Sequence, residues 1–388
     1  MTETIRRVLE DLAGRVRARH GELLDALTTV ETHRTARTEL SWTLAAFDPP
    51  PQKVAWLCGR APVGSVYVAS PATLPVYSFV LFALAPAVAG NRVVVRAASV
   101  SRHCAELMSE IACHAGLDIT TTSERWVDFA AHACSKADGM VFAGSREHIQ
   151  TLDAQVPEAT RLIGQGPGVC AAVVTAAADL QQAARCILTA RLFNSSQDCL
   201  ATERVYVADD VFDEFLDALE AEADTVVLGE NSDPDTDLGP LLIPSAAQTW
   251  YPHLTDMGRV VRRPRQVEGF LYDLAIVEAT SDARVVLSET YCPILPVVRY
   301  KGRRQLQEML AAGDFALGLT VFGELSSLST LDFAHVALNQ SIYDFEDAWA
   351  PFGGYRHTTL VRHSDHRRAG PALIPFELTH PAAPVQRL

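Results

Sequence analysis

The residue with the most chemistry to offer is Cys199. It closes the polar run Asn194, Ser195, Ser196, Gln197, Asp198 and opens onto "LATERVYV", whose alternation reads as a buried strand. A thiolate is a strong nucleophile, and it needs partial exposure with N–H dipoles or positive charge nearby. A junction of helix, polar loop and strand is a place where a thiol can face a cleft. There the Cys199 N–H could help to hold an oxyanion. A plainer reading stands beside this one: a single cysteine among eight is ordinarily a small core residue.

The other cysteines (58, 104, 113, 134, 170, 186, 292) form no CxxC pair and no regular spacing, which predicts free thiols and no metal site. With an N-terminus that lacks a signal-peptide core, this makes the expected location cytoplasmic. The longest apolar run, Val76 to Gly90, is broken by Pro86 and is short for a bilayer. A net charge of −14 speaks against nucleic acid or an anionic membrane as the main partner. Arginines gathered at 259–265 and 362–368 leave room for one anionic ligand. At 48% hydrophobic residues over 388 positions, the chain can bury two cores.

The elements that must position Cys199 alternate. Helices are expected over 1–45, then a rigid stop at "DPPPQ" (48–52). A strand at 64–70 leads to an apolar helix at 75–89, and a strand at 91–99 to a helix at 101–115. A third strand at 139–145 ends in Gly144-Ser145 before a helix at 146–156. Beyond Gly164-Gln165-Gly166-Pro167-Gly168 the pattern resumes: strand 170–176, helix 179–193, the cysteine loop, strand 203–209, helix 211–226. This is the pattern of parallel α/β sheets, which bind ligands at the carboxyl ends of their strands. Ser70, Pro71, Thr73, Arg96, Ser99, Gly144 and Ser145 fall at such ends.

With these pieces in place, the chain resembles the aldehyde dehydrogenase superfamily. "FNSSQDCLATERVYV" is similar to its cysteine segment, "GRAPVGSVYVASPAT" to the strand and loop on the substrate side, and "AGNRVVVRAAS" to its "GNTVVLKPSE" strand. "VFAGS", "AAADLQQAA", "LGENSDPDTDLGPLL", "SETYCPILPVVRY" and "APFGGYRHT" follow in the family's order. The resemblance implies a Rossmann-type cofactor domain joined to an α/β catalytic domain, with a shortened N-terminus. The expected division is 1–167 for N-terminal helices and cofactor domain, 168–355 for the catalytic domain, and 356–388 for a C-terminal return. The strand expected at 372–381 in that return would pair subunits into a homodimer or homotetramer.

By the same resemblance Cys199 is the nucleophile, and Gly144, Ser145 and Gly166 border the nicotinamide and pyrophosphate. Glu289 holds the nicotinamide ribose with Tyr291 beside it, and Arg96 stands in for the lysine at the adenosine ribose. Three departures modify this. Gln165 occupies the position of the glutamate that activates water, and an amide accepts no proton. Thr73 (or Leu74) replaces the asparagine of the oxyanion hole, and Ile149 replaces a glycine. No acid stands at Ser99, while Arg96 and Arg102 lie near it, which favours NADP(H) over NAD(H).

The "GQGPG" segment (164–168) resembles the CoA-acylating branch, so the first expectation is NAD(P)H-dependent reduction of an acyl thioester to an aldehyde, or its reverse. CoA or a phosphopantetheine carrier protein would then be the co-substrate. The alternatives are a hydrolytic aldehyde dehydrogenase and a catalytically degenerate or non-redox homologue that binds a partner or transfers an acyl group.

Overall fold

The computed structural model describes residues 2–265, 269–324 and 332–382. Two seven-stranded sheets form the frame. The first runs in the order 367–369, 359–362, 161–165, 139–143, 65–69, 92–96, 119–121. Its five strands from 161–165 to 119–121 are parallel, and the two from the C-terminal segment pair antiparallel. The second runs 335–338, 318–322, 170–174, 202–208, 294–300, 275–279, 258–262, all parallel except the last pair. Every residue of Cys170–Val174, Thr202–Ala208 and Gly318–Phe322 is buried. A parallel strand covered by helices on both faces has no solvent side to alternate with.

Three helices, Thr2–Ala18, His20–Leu27 and His33–Ala46, pack over the helices Pro75–Phe79 and Arg102–His114, in one core with a face of the first sheet. "DPPPQ" is a break only as far as Pro50; Pro51 opens the helix Pro51–Cys58, where a missing N–H costs nothing. The helix at 75–88 holds a π-helical stretch, Val80–Leu84. Pro86 can donate no hydrogen bond to the preceding turn, and the slack is taken up as a wider one.

The C-terminal segment departs from its expected form. Residues 372–381 are not one strand. They hold a short helix Ile374–Glu377, with Pro375 in its first turn, and then the strand Thr379–Pro381. That strand pairs along one edge with Arg60–Pro62 of the same chain in a two-stranded ladder, which leaves its other edge without a strand partner among the described residues. Earlier in the segment, Thr359–Arg362 lies beside Arg161–Gln165 and lets Thr359 Oγ1 donate to Gln165 Oε1 at 2.8 Å.

The cleft between the sheets is set by one close approach. A Cβ on Gly168 would overlap the carbonyl oxygen of Cys199 and meet Leu317 Cδ2 at 2.6 Å. Gly168→Ala must push backbone, not a flexible side chain, and should cost ~1–3 kcal/mol. A lowered urea midpoint with unchanged m-value is the expected result.

Candidate active site

The carboxyl edge of the first sheet faces the amino edge of the second across a cavity of about 380 Å³. From the first come Pro71, Thr73, Gly144, Ser145, Gln165 and Gly166; from the second come Cys199, Glu289 and Tyr291. The structure therefore gathers nine of the twelve residues singled out above. Ser70 lies just behind, its N–H donating to Arg96 O at 3.1 Å. Arg96 and Ser99 lie away from the cavity: Arg96 Nε donates to Glu124 O at 3.0 Å, and Ser99 starts a turn leading into the helix Arg102–His114.

The cysteine loop is held in a costly conformation. Asn194, Ser195 and Ser196 have φ of 49°, 51° and 69°, a left-handed run of three non-glycine residues. Side chains from three directions hold it. Thr35 Oγ1 accepts from Asn194 N at 3.1 Å, Ser195 Oγ accepts from Gly239 N at 3.0 Å, and Gln197 exchanges bonds with Ile243 and reaches Tyr291 O. Cys199 emerges half-buried in the wall of the cavity.

Beneath the loop lies a buried ion pair. Arg191 Nη1 stands 3.0 Å from Glu203 Oε1, both side chains wholly inside. Thr290 N and Oγ1 donate to Glu203 Oε2 at 3.0 and 2.7 Å, and Arg191 Nη2 donates to Thr290 Oγ1 at 2.6 Å and to Cys292 O. The helix that ends before the cysteine loop, the strand that follows it, and the 289–292 turn are thereby tied at one point. Tyr291, at φ 54°, directs its hydroxyl to Thr73 Oγ1 at 3.1 Å.

The electrostatics are one-signed. Asp198, Glu289 and Glu346 line the cavity, and no Lys, Arg or His does among the described residues. Burial, then Asp198, Cys170, Glu289 and Glu346, push the Cys199 thiol well above its ordinary value. Burial raises Glu289 to about 8, against the Gly168 N–H donated to its Oε1 at 2.9 Å, and Glu346 to about 7. Burial also raises Asp198, against the donors Tyr343 Oη and Leu200 N. Gln165 is fastened: besides Thr359, its Nε2 reaches Phe352 O at 3.5 Å. Ile149 packs on Gly164 and Gly166, where any side chain would collide with it.

The donor set fits a dinucleotide. Free N–H groups follow Gly144-Ser145 at the start of the helix Arg146–Gln155, Glu289 keeps a second carboxylate oxygen for hydroxyls, and no acid lies between Arg96 and His103. Trp42, Tyr77, Tyr343 and Glu346, which also line the cavity, were not singled out from sequence. They come from three distant segments, and no spacing joins them; only Asp198, adjacent to Cys199, offered a local signal.

The aldehyde dehydrogenase family model matches residues 4–369. The chain is 26% identical over 322 residues to a succinate-semialdehyde dehydrogenase [NADP(+)] of Deinococcus radiodurans, covering 78% of this chain and 67% of that protein. It is 23% identical over 353 residues to a sulfoacetaldehyde dehydrogenase of Neptuniibacter caesariensis, covering 87% and 76%. The chain thus spans about two thirds to three quarters of these relatives' length. A solved succinic semialdehyde dehydrogenase from Streptococcus pyogenes in complex with NADP+ superposes with a TM-score of 0.87 at 18% identity, covering 98% of this chain and 89% of that one.

Two measurements test this geometry. Glu203→Gln leaves Arg191 buried without its counter-charge and should cost ~3–5 kcal/mol, most of it recovered in an Arg191→Met/Glu203→Leu double variant. Denaturant midpoints of the three proteins decide this. Glu289 and Glu346, with Glu39 also raised to about 7 by burial, keep their protons in the fold at pH values where the unfolded chain has lost them. Stability should therefore fall as pH rises from about 4.5 to about 8, a decline visible in Tm.

Proposed function

The chain belongs to the aldehyde dehydrogenase family, and on that premise we propose that it oxidises an aldehyde to a carboxylic acid with NADP+, through an acyl-Cys199 intermediate. The observation that carries this reading is the half-buried Cys199 facing Gly144, Ser145, Gly166 and Glu289 across one cavity. The names of its relatives support oxidation of aldehydes over the thioester reduction first expected from Gln165, and two of them name NADP. Ser145 and the helix start behind it would hold the pyrophosphate, Glu289 the ribose of the nicotinamide half, and Arg96 with Ser99 the adenosine half.

Cys199 sulfur adds to the carbonyl carbon after losing its proton to solvent. With three carboxyls lining the cavity, that ionisation waits for positive charge to enter. When bound, the oxidised nicotinamide supplies that charge and accepts the hydride leaving the former carbonyl carbon. The oxyanion meets the Thr73 hydroxyl, whose proton is free once Tyr291 donates to its oxygen, and the Cys199 N–H, which must be drawn from the Asp198 carboxyl it now faces. Water then adds to the thioester carbon, the C–S bond breaks, the acid leaves, and the second proton of the water returns to the Cys199 sulfur.

Gln165 makes that last step the slow one, because nothing at its position takes the proton of the attacking water. Mixing enzyme, NADP+ and an aldehyde should give a burst of one NADPH per Cys199, followed by a slower steady rate. Gln165→Glu should raise the steady rate about tenfold or more without enlarging the burst, since a placed base contributes ~10²–10⁴-fold. Gln165 also motivates a second reading, transfer to a thiol: a burst that stalls until CoA is added would select it. If no burst appears, or Cys199→Ser leaves the rate intact, neither reading stands.

A further inference from the structure

The proposed reaction fixes what happens at the carbonyl carbon and leaves open what the rest of the substrate must be. The acidic, aromatic wall beside Cys199 answers through its charge and its rings. Tyr77 Oη donates to Glu346 Oε1 at 2.8 Å, and Tyr343 Oη donates to Asp198 Oδ1 at 2.7 Å. Glu346 Oε2 has no hydrogen-bond partner among the described residues and borders the cavity. Trp42 stands 5.5 Å from Tyr77 and 6.1 Å from Tyr343, ring centre to ring centre, and all three rings line the cavity.

Two buried carboxyls, each held by a tyrosine hydroxyl and backed by three aromatic rings, form a seat for positive charge. No cationic side chain among the described residues lines the cavity to neutralise them. Arg34 and Arg37 open onto a separate outer hollow that Trp42 also borders, and Arg34 is paired with Asp237. Glu289 lies on the side facing Gly168, where the nicotinamide half is placed above.

Resting on the function proposed above, we propose that the substrate is an aldehyde carrying a positively charged nitrogen, seated between Asp198 and Glu346 and against Trp42, Tyr77 and Tyr343. A semialdehyde with a far carboxylate, the class named for two of the relatives, would instead bring a like charge onto two carboxylates in a site of low polarity. A cation there draws both carboxyls back toward their ionised forms and relieves the burial that now raises them. A cavity of about 380 Å³ suits a short aldehyde.

Isosteric pairs isolate the charge. The full chain with NADP+ is given trimethyl(2-oxoethyl)ammonium against 3,3-dimethylbutanal, and 3-aminopropanal against butanal, with succinate semialdehyde as the anionic arm; NADPH absorbance reads kcat/KM. The expected result is a preference of about tenfold or more for the cation in at least one pair, and succinate semialdehyde slower than butanal. Glu346→Gln should pull the cation-to-neutral ratio toward one. No cation preference in either pair, or succinate semialdehyde outrunning butanal, overturns the inference while leaving aldehyde oxidation standing. If no aldehyde yields NADPH, the function proposed above falls. The seat is then judged by tryptophan fluorescence: choline must bind more tightly than 3,3-dimethylbutan-1-ol and lose that advantage in Glu346→Gln, and failure on either point overturns it.

Discussion

Much of the site hangs from one buried ion pair. Arg191 and Glu203 flank the cysteine loop in sequence, at the end of one helix and the start of the next strand. Each alone would be a severe liability in the interior, and together they borrow Thr202 O, Thr290 and Cys292 O, with Arg191 Nε still left without a partner among the described residues. That borrowing brings the 289–292 turn to the loop. Glu289 and Tyr291 face Cys199 because Thr290, between them, is claimed by the pair. A hydrophobic substitute could fill the same volume, but it would not specify which turn docks there.

The second constraint is the loop itself. Three consecutive residues in the left-handed region are unfavourable, and they persist because Thr35 binds Asn194 N, Gly239 binds Ser195 Oγ, and Ile243 and Tyr291 hold the Gln197 amide. One of these partners lies in an N-terminal helix. The same helix supplies Glu39, whose carboxylate accepts from Tyr77 N at 2.6 Å, and Trp42 at the cavity wall. The N-terminal helices are therefore more than cover for the first sheet: they fix both the cysteine loop and the start of the helix that bears Tyr77.

Charge links the two halves of the cavity. Burial and three carboxyls around the thiol push its pKa up, and burial raises theirs with it. Two positive charges entering from opposite ends, one with the cofactor and one with the proposed substrate, would correct this. The oxyanion position is weaker than an amide donor would make it, since Thr73 works through a hydroxyl shared with Tyr291. Gln165, fastened by Thr359, is no mobile group waiting to act; its position is fixed by the returning C-terminal strand.

The alternation of apolar strands and amphipathic helices is a local property, and it was enough to place the strands at 65–69, 92–96, 139–143, 170–174 and 202–208 within three residues at each end. Motif order likewise identified the family and set Cys199, Glu289 and Gln165 as residues to examine, because side-chain types at fixed spacing are written in the chain itself. The course of residues 372–381 was not legible: apolar alternation looks the same in a strand and in a short helix opened by a proline. Nor was the acidic, aromatic end of the cavity, because Trp42, Tyr77, Asp198, Tyr343 and Glu346 meet only through packing of distant segments. The sequence by itself determined which groups could do chemistry. Tertiary structure decided which of them share a desolvated space, and burial there raises the pKa of carboxyls and of a thiol that would be ordinary in water.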